Sequence, residues 1–267
     1  MRNNIPAITA ANKAAWEASA ALHATGPAWE KLLSDAAKPA FSVLDEELTA
    51  TLKALDINGK RAVQIGCNNA RELLSLASLG AVPALGIDQS QGFLEQGKVL
   101  AKAAGLAPRL QQADIYDLPQ DIGQYDLALI TIGVLNWMPD LAKFFNAVAS
   151  LMAEGAALVI YETHPFMEMF DYEADEPHKP SISYFKSAPE EVSDAISYDG
   201  LDHGKGETGY WFIHTLGDIV TACANAGLRV ENLTEFAHSI REPEYDIYSG
   251  QEAQIPMSFK LVARREP

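Results

Sequence analysis

The stretch RAVQIGCNNARELLSLASLGAVPALGID, residues 61 to 88, decides how the rest of the chain is read. Arg61 to Gly66 is a short apolar run ending in glycine, the pattern of a buried strand. A polar turn follows at Cys67, Asn68 and Asn69. Leu73, Leu74, Leu76, Ala77 and Leu79 then recur at helical spacing, and Gly80 stops the helix. A second apolar run, Val82 to Ile87, ends in Asp88. This is a β-α-β unit with a polar turn at the carboxyl end of its first strand and a carboxylate at the end of its second. Asp88 lies 22 residues past Gly66. In nucleotide-binding α/β folds an acid near that distance takes the ribose hydroxyls, which a carboxylate accepts well.

The turn also discriminates between nucleotides. A dinucleotide site uses G-x-G-x-x-G, because bare backbone must approach a pyrophosphate. Those positions here are Gly66, Asn68 and Arg71, so two of the three glycines are absent. S-adenosylmethionine carries no phosphate and needs less clearance. At the looser G-x-G-x-G spacing the residues are Gly66, Asn68 and Ala70. Asparagine tolerates left-handed backbone, so Asn68 or Asn69 can stand in for a glycine. An ordinary βαβ turn with no ligand remains the alternative until the rest of the chain is read.

Outward from this unit the strand and helix patterns alternate. Residues 1–57 read as helices that precede the sheet. They comprise an alanine-rich stretch from Ala10 to Ala24, a helix opened by Pro27, and another opened by Pro39 with Phe41, Leu44, Leu48 and Leu52 on one face. Gln91 to Ala104 is a helix, Pro108 to Ala113 a strand ending at Asp114, and Tyr125 to Ile132 the central strand, ending at Gly133. Asp140 caps a helix running to Met152, and Glu154-Gly155 turns into a strand from Ala156 to Tyr161. His214 to Ala226 is a helix, with strands at Leu228 to Phe236 and Met257 to Ala263. Gly66, Asp88 and Asp114 thus fall at the carboxyl ends of neighbouring strands, where open α/β sheets bind ligands. Asp114 is placed for an adenine amino group, or else is a helix cap or a surface acid.

Residues 163–212 break the rhythm. They are rich in Pro, Gly, Asp and Glu and dotted with aromatics, among them Phe166, Tyr184, Tyr198, Tyr210 and Trp211. Loops this long are functional or disordered, and the aromatics argue for a substrate-covering insert. Trp16 and His23 in the first helix, with Trp137, Tyr210 and Trp211, are the substrate-pocket candidates; packing is the alternative for Trp16 and His23. His164 follows the strand at Tyr161, and His214 opens the helix after the insert. Either imidazole suits proton abstraction near neutral pH. Otherwise His164 holds the Pro165 turn and His214 caps its helix.

Composition excludes several classes. The chain has 267 residues, 48% hydrophobic, enough for one large domain. Its formal charge of −16 and lack of a Lys/Arg cluster disfavour nucleic acid. Cys67 and Cys223 fit no zinc spacing. No signal-peptide pattern and no membrane-length apolar run is present, so a reduced, cytoplasmic protein without membrane partners is expected. Glu162, His164, Asp171, Glu173, Asp175 and His178 form no compact ligand set, and no metal is expected. Oligomeric state is not legible.

These segments together resemble a class I S-adenosylmethionine-dependent methyltransferase of the bacterial small-molecule type. The resemblance covers roughly Ala62 to Ala263 and rests on VQIGCNN with ALGID, QADIYDLP, YDLALITIGVLNWMPD, ALVIYETHPF and YWFIHTLGDIVTACANAGLRVENLTEF. It implies a Rossmann-like α/β fold: a seven-stranded, mostly parallel sheet with one antiparallel strand, here with an N-terminal helical cap at 1–57 and a domain at 58–267. It implies S-adenosylmethionine as cofactor, with Gly66, Cys67, Asn68 and Asn69 at the methionine end, Asp88 at the ribose, Asp114 and Ile115 at the adenine, Gln89 among the cofactor contacts, and Thr131, Ile132, Gly133, Val134 and Trp137 near the cofactor and acceptor. The sequence departs from the family where an acid is usual and this chain has Gln64, and where Asn68 and Ala70 replace glycines. The expected activity is methyl transfer to an oxygen, nitrogen or carbon of a small molecule. The rivals are a nicotinamide-dependent oxidoreductase and a non-catalytic adenosyl-ligand binder.

Overall fold

The computed structural model describes residues 4–197 and 203–267. Tyr198 of the insert lies outside the described residues. Three helices come first: α1 (Ile5–Ser19), α2 (Gly26–Ala36) and α3 (Glu46–Ala54). Then follow β1 (Arg61–Ile65), α4 (Arg71–Ser75), β2 (Val82–Asp88), α5 (Gln91–Ala103), β3 (Arg109–Gln112) and β4 (Tyr125–Thr131). The chain continues through α6 (Leu141–Ser150), β5 (Met152–Thr163), β6 (Glu190–Asp194), β7 (Lys205–Trp211), α7 (Leu216–Asn225), β8 (Leu228–Phe236) and β9 (Ser258–Arg265).

Seven strands form one sheet in the order β3-β2-β1-β4-β5-β9-β8. β9 runs antiparallel to both β5 and β8, and the other pairings are parallel. β6 and β7 pair separately as an antiparallel hairpin inside the insert. The parallel strands are apolar on both faces because helices cover both. On one face Val63, Ile65, Ala128, Ile130 and Leu158 pack against Phe144, Phe145 and Val148 of α6. On the other, Ala62, Leu127, Leu129 and Val159 pack against Leu48 and Leu52 of α3 and Leu73 of α4. Each such fully buried aliphatic side chain contributes about 1.5–3 kcal/mol. The two layers hold the carboxyl ends of β1, β2 and β4 side by side.

Local chemistry sets the boundaries. The Asp140 carboxylate accepts the Lys143 N–H, and Thr215 with Asp218 forms a complete capping box on α7. Two expectations are corrected. The helix placed at Pro39 starts only at Glu46, because the Asp45 carboxylate accepts the Leu48 N–H and caps α3 there. Glu154-Gly155 is no turn between helix and strand. β5 begins at Met152, which pairs with Tyr125, and the register then shifts so that Leu127 meets Ala157. Leu48 and Leu52 of α3 also pack into the sheet's core.

Candidate functional site

The turn after β1 keeps a glycine-like backbone without the glycines. Gly66, Asn68 and Ala70 have φ of +63°, +50° and +60°. Left-handed geometry costs a non-glycine residue about 1–2 kcal/mol, so neighbouring contacts must enforce it at Asn68 and Ala70. Asn68 Oδ1 accepts the Asn69 N–H at 2.8 Å, and the Ala70 N–H donates to Cys67 O at 2.7 Å. Gly66 itself has no alternative: a Cβ there would lie 2.6 Å from Val134 Cγ2. Gln64, where an acid is usual, is 1% exposed and uses both ends of its amide. Its oxygen accepts the Leu73 N–H at 2.9 Å and its nitrogen donates to Thr131 Oγ1 at 3.2 Å, tying α4 to the end of β4.

Asp88 stands across from this turn. Its Oδ2 accepts the Asn68 N–H at 2.7 Å and its Oδ1 accepts the Ser90 N–H at 2.9 Å. Burial pushes the carboxyl up, and the Ser90 and Asn68 donors pull it down. The Gln89 backbone also donates to this carboxylate, which lines the cleft.

The loop after β4 is held by a residue the sequence reading did not place there. Glu162, 1% exposed, accepts the Gly133 N–H on Oε2 at 2.7 Å and the Val134 and Leu135 N–H groups on Oε1 at 2.8 and 3.1 Å. Burial pushes Glu162 up to about 7 against these donors. The carboxylate thereby fixes the backbone from which Gly133, Val134 and Trp137 face the cleft.

α1 and the β6–β7 hairpin roof the cleft. Asn12 of α1 accepts the Tyr210 N–H at 2.6 Å and donates to Tyr210 O at 3.2 Å and Trp137 O at 3.1 Å. Gly209 makes room for this approach, because a Cβ there would lie 2.9 Å from the Trp137 ring. Trp16 meets Phe93 and Trp137 edge-on, with ring centroids 5.8 and 5.5 Å apart. At the far end of α1 the Glu17 carboxylate accepts the Ser90 hydroxyl at 2.7 Å and the Gly92 N–H at 3.1 Å. The enclosed space, with its open mouth, is about 1010 Å³. An adjoining groove of about 1060 Å³ between α1 and the turn after β3 shares Thr9, Gln89 and Ala113 with it.

The structure brings together Gly66, Asn68, Asp88, Gln89, Ile115, Ile132, Gly133, Trp16 and Trp137 as cleft-lining residues. Other candidates fall elsewhere. Cys67 is fully buried behind the turn, and Asn69 packs toward Gly97. Asp114 faces the adjoining groove and accepts the Tyr116 N–H at 3.0 Å within a turn that closes from Asp117 N–H to Asp114 O, with no helix there to cap. His23 sits in the short 3-10 helix after α1, bonded to Ile196 O at 2.9 Å and with its ring tilted against Phe93. Tyr210 pairs with Asn12 above the cleft, and Trp211 Nε1 donates to Glu168 at 2.8 Å behind Trp137.

The two histidines proposed for proton transfer are corrected. His164 Nε2 meets Glu235 of β8 at 2.9 Å while Nδ1 accepts the Phe166 N–H of the Pro165 turn at 3.0 Å, so both ring nitrogens are engaged. His214 Nε2 meets Met138 O at 2.8 Å, and its ring stacks on Phe212. Neither lines the cleft. Besides Glu162, the sequence reading missed Thr9, Asn12, Arg71 and Glu72 as site residues. A buried asparagine in an alanine-rich helix was the one available signal. Among the described residues no group of three or more His, Cys, Asp or Glu side chains is gathered as a metal site, and no helix is long and apolar enough to cross a membrane.

The fold is that of S-adenosylmethionine-dependent methyltransferases. Residues 62–155, which contain the turn, Asp88 and the loop after β4, match the methyltransferase-domain family. An S-adenosylmethionine-dependent methyltransferase from Mesorhizobium loti superposes with a TM-score of 0.56 at 22% identity, covering 81% of this chain and 96% of that one. A Listeria monocytogenes protein assigned to the same class superposes with a TM-score of 0.60 at 19% identity, covering 82% and 97%. In sequence, the ribosomal protein L11 methyltransferase of Actinobacillus pleuropneumoniae serotype 5b (strain L20) is 38% identical over 82 residues, 30% of this chain. The chain spans 27% of that relative's length.

Proposed function

We propose that the protein transfers a methyl group from S-adenosylmethionine to a small-molecule acceptor. The observation that carries this reading is the Asp88 carboxylate, buttressed by Asn68 N–H and Ser90 N–H, lining the cleft at the switch between β1 and β4. The cofactor fits the residues present: Asp88 for the ribose hydroxyls, Gln89 and Ile115 flanking the base, and the Gly66–Asn68 turn for the methionine arm. When bound it supplies a methyl already activated by a sulfonium. The chain aligns and encloses the reactants. Glu162 holds the Gly133–Leu135 backbone still, and Trp16 and Trp137 wall off water. Among the described residues no histidine lines the cleft, and the proposed mechanism rests on alignment.

The roof of α1 and the hairpin supports a small acceptor over a folded protein, because Asn12 stitches both to Trp137. A protein acceptor is the second reading, favoured only by the short match to the ribosomal protein methyltransferase. Calorimetric titration with S-adenosylhomocysteine and with NAD separates methyltransferase from oxidoreductase: the first binds and the second does not. Transfer of labelled methyl to a panel of amines, phenols and carboxylic acids, but not to a ribosomal protein fraction, is the expected outcome. Labelling of protein alone refutes the small-acceptor reading.

A further inference from the structure

The roof helix and the carboxylate expected at the ribose meet on one serine. Ser90, buried at the start of α5, bonds to both. Its N–H donates to Asp88 Oδ1 at 2.9 Å, and its hydroxyl donates to Glu17 Oε2 of α1 at 2.7 Å. The Gly92 N–H donates to the same Glu17 carboxylate, 3.1 Å from Oε1 and 3.2 Å from Oε2. Ser90 also accepts the Phe93 N–H at 3.3 Å and so caps α5. Glu17 therefore lies at the positive end of a 13-residue helix, where the first N–H groups lack helical partners and favour an anion.

The approach of α1 to α5 is close. A Cβ on Gly92 would lie 2.7 Å from Ala20 Cβ, so glycine there lets the end of α1 pass. Gln96 Nε2 donates to Ala20 O at 2.7 Å, and Trp16 and His23 set their rings against Phe93. The same stretch of chain carries the hairpin. Asn12 holds both backbone groups of Tyr210, the Ser19 hydroxyl accepts the Ile196 N–H at 3.0 Å, and His23 Nε2 meets Ile196 O. α1 thus ties the insert to α5, and Glu17 makes that tie beside Asp88. Burial, and the Glu17 charge in the same direction, push the Asp88 carboxyl up.

We infer that Glu17 is a positioning residue: it docks the roof helix on α5 through the serine that also holds Asp88, so that ribose binding and closure of the roof strengthen each other. The inference rests on the methyltransferase reading. Ribose hydroxyls that donate to Asp88 disperse its negative charge, which otherwise repels Glu17 across Ser90. With that repulsion reduced, Glu17 holds Ser90 and Gly92 more firmly, and α1 keeps Asn12 and Trp16 down on the cleft. Coupling between two binding events is reciprocal, so a docked Glu17 raises the affinity of the Asp88 site for the ribose. Glu17 does not line the cleft. It acts through Ser90 and through the helix that carries it.

Calorimetry and hydrogen exchange on the full chain test the coupling with S-adenosylhomocysteine. The proteins are wild type, Glu17→Ala, Glu17→Gln, Asp88→Asn and the Glu17→Ala/Asp88→Asn double variant, each melted to confirm folding. Glu17 is exposed, so its replacement spares the core. Glu17→Ala is expected to weaken binding about five- to twentyfold, because two hydrogen bonds to a partly solvated carboxylate are lost. Glu17→Gln, which keeps an acceptor oxygen without the charge, loses less. In the Asp88→Asn background Glu17→Ala costs no more than about twofold, a non-additivity that a merely structural role would not produce. S-adenosylhomocysteine slows exchange in α1 of wild type but not of Glu17→Ala, while the turn at 66–70 is protected in both. Binding by Glu17→Ala within about twofold of wild type, equal losses in the two backgrounds, or ligand protection of α1 that survives the substitution overturns the inference. Failure of wild type to bind S-adenosylhomocysteine overturns the methyltransferase reading itself, and the inference with it.

Discussion

Replacing Asp88 by asparagine tests the ribose site most directly. Alanine would also remove the acceptors for Asn68 N–H and Ser90 N–H, which lie at 2.7 and 2.9 Å, and so would collapse the turn together with the site. Asparagine keeps the shape and one acceptor oxygen but loses the charge, and it turns an NH2 toward one of the two backbone donors. A hydrogen bond to a charged partner contributes about 1.5–3 kcal/mol, against about 0.5–1.5 kcal/mol for a neutral one. With two ribose hydroxyls weakened and one misdirected amide, the loss in binding is about 1.5–3 kcal/mol. That corresponds to an increase of about ten- to a hundredfold in the dissociation constant for S-adenosylhomocysteine. The assay is calorimetric titration of wild type and Asp88→Asn, with thermal melting to confirm that both are folded. A folded variant whose affinity lies within about twofold of wild type refutes the assignment of Asp88 to the ligand.

Glu162→Gln leaves an amide NH2 facing at least one of the Gly133, Val134 and Leu135 N–H groups, and an unmade buried hydrogen bond costs about 1–3 kcal/mol. Chemical denaturation should register that loss together with weaker S-adenosylhomocysteine binding, and unchanged values for both would remove the clamp from the site. Burial holds Glu162, Glu168 and Glu242 above ordinary glutamates, up to about 7, 7 and 8. The folded chain therefore binds more protons than the unfolded chain from about 4.5 upward, and stability should fall as pH rises toward 8. Glu72, held at about 2, acts oppositely, its contribution complete above about 4.5 and lost as pH falls toward 2. A melting temperature that rises steadily from pH 5 to 8 would contradict this assignment. S-adenosylhomocysteine should slow hydrogen exchange in α1 and β7, which share the Asn12 contacts, and equal exchange with and without it argues against a roof that orders on binding. His164→Gln should destabilise the Pro165 turn without removing the acidic limb of the pH–rate profile, because both of its ring nitrogens are engaged away from the cleft. Loss of that limb would restore His164 as a base.

What the sequence determined by itself was the local part. The runs Arg61–Ile65, Val82–Asp88 and Tyr125–Thr131 are strands because continuous β-branched and leucine-rich segments are buried on both faces of a parallel sheet. Their spacing, with helices between, fixed the βαβ order and hence the edge where Gly66, Asp88 and Gly133 converge. The left-handed positions at Asn68 and Ala70 followed the methyltransferase spacing, although alanine gives no local signal for such geometry. The Pro39 helix failed because proline tolerates a first turn without specifying one, whereas the Asp45 side chain actually caps α3. Only the tertiary structure decided which side chains share the cleft. Glu162 reads in sequence as one acid beside a histidine, yet it holds the loop 27 to 29 residues earlier in the chain. Arg241 reads as one charge in a polar excursion, yet it completes a pair with Glu72. Propensity and periodicity act over a few residues and a single element. The charges that shape this site meet across elements, so their partners are set by sheet order and loop packing.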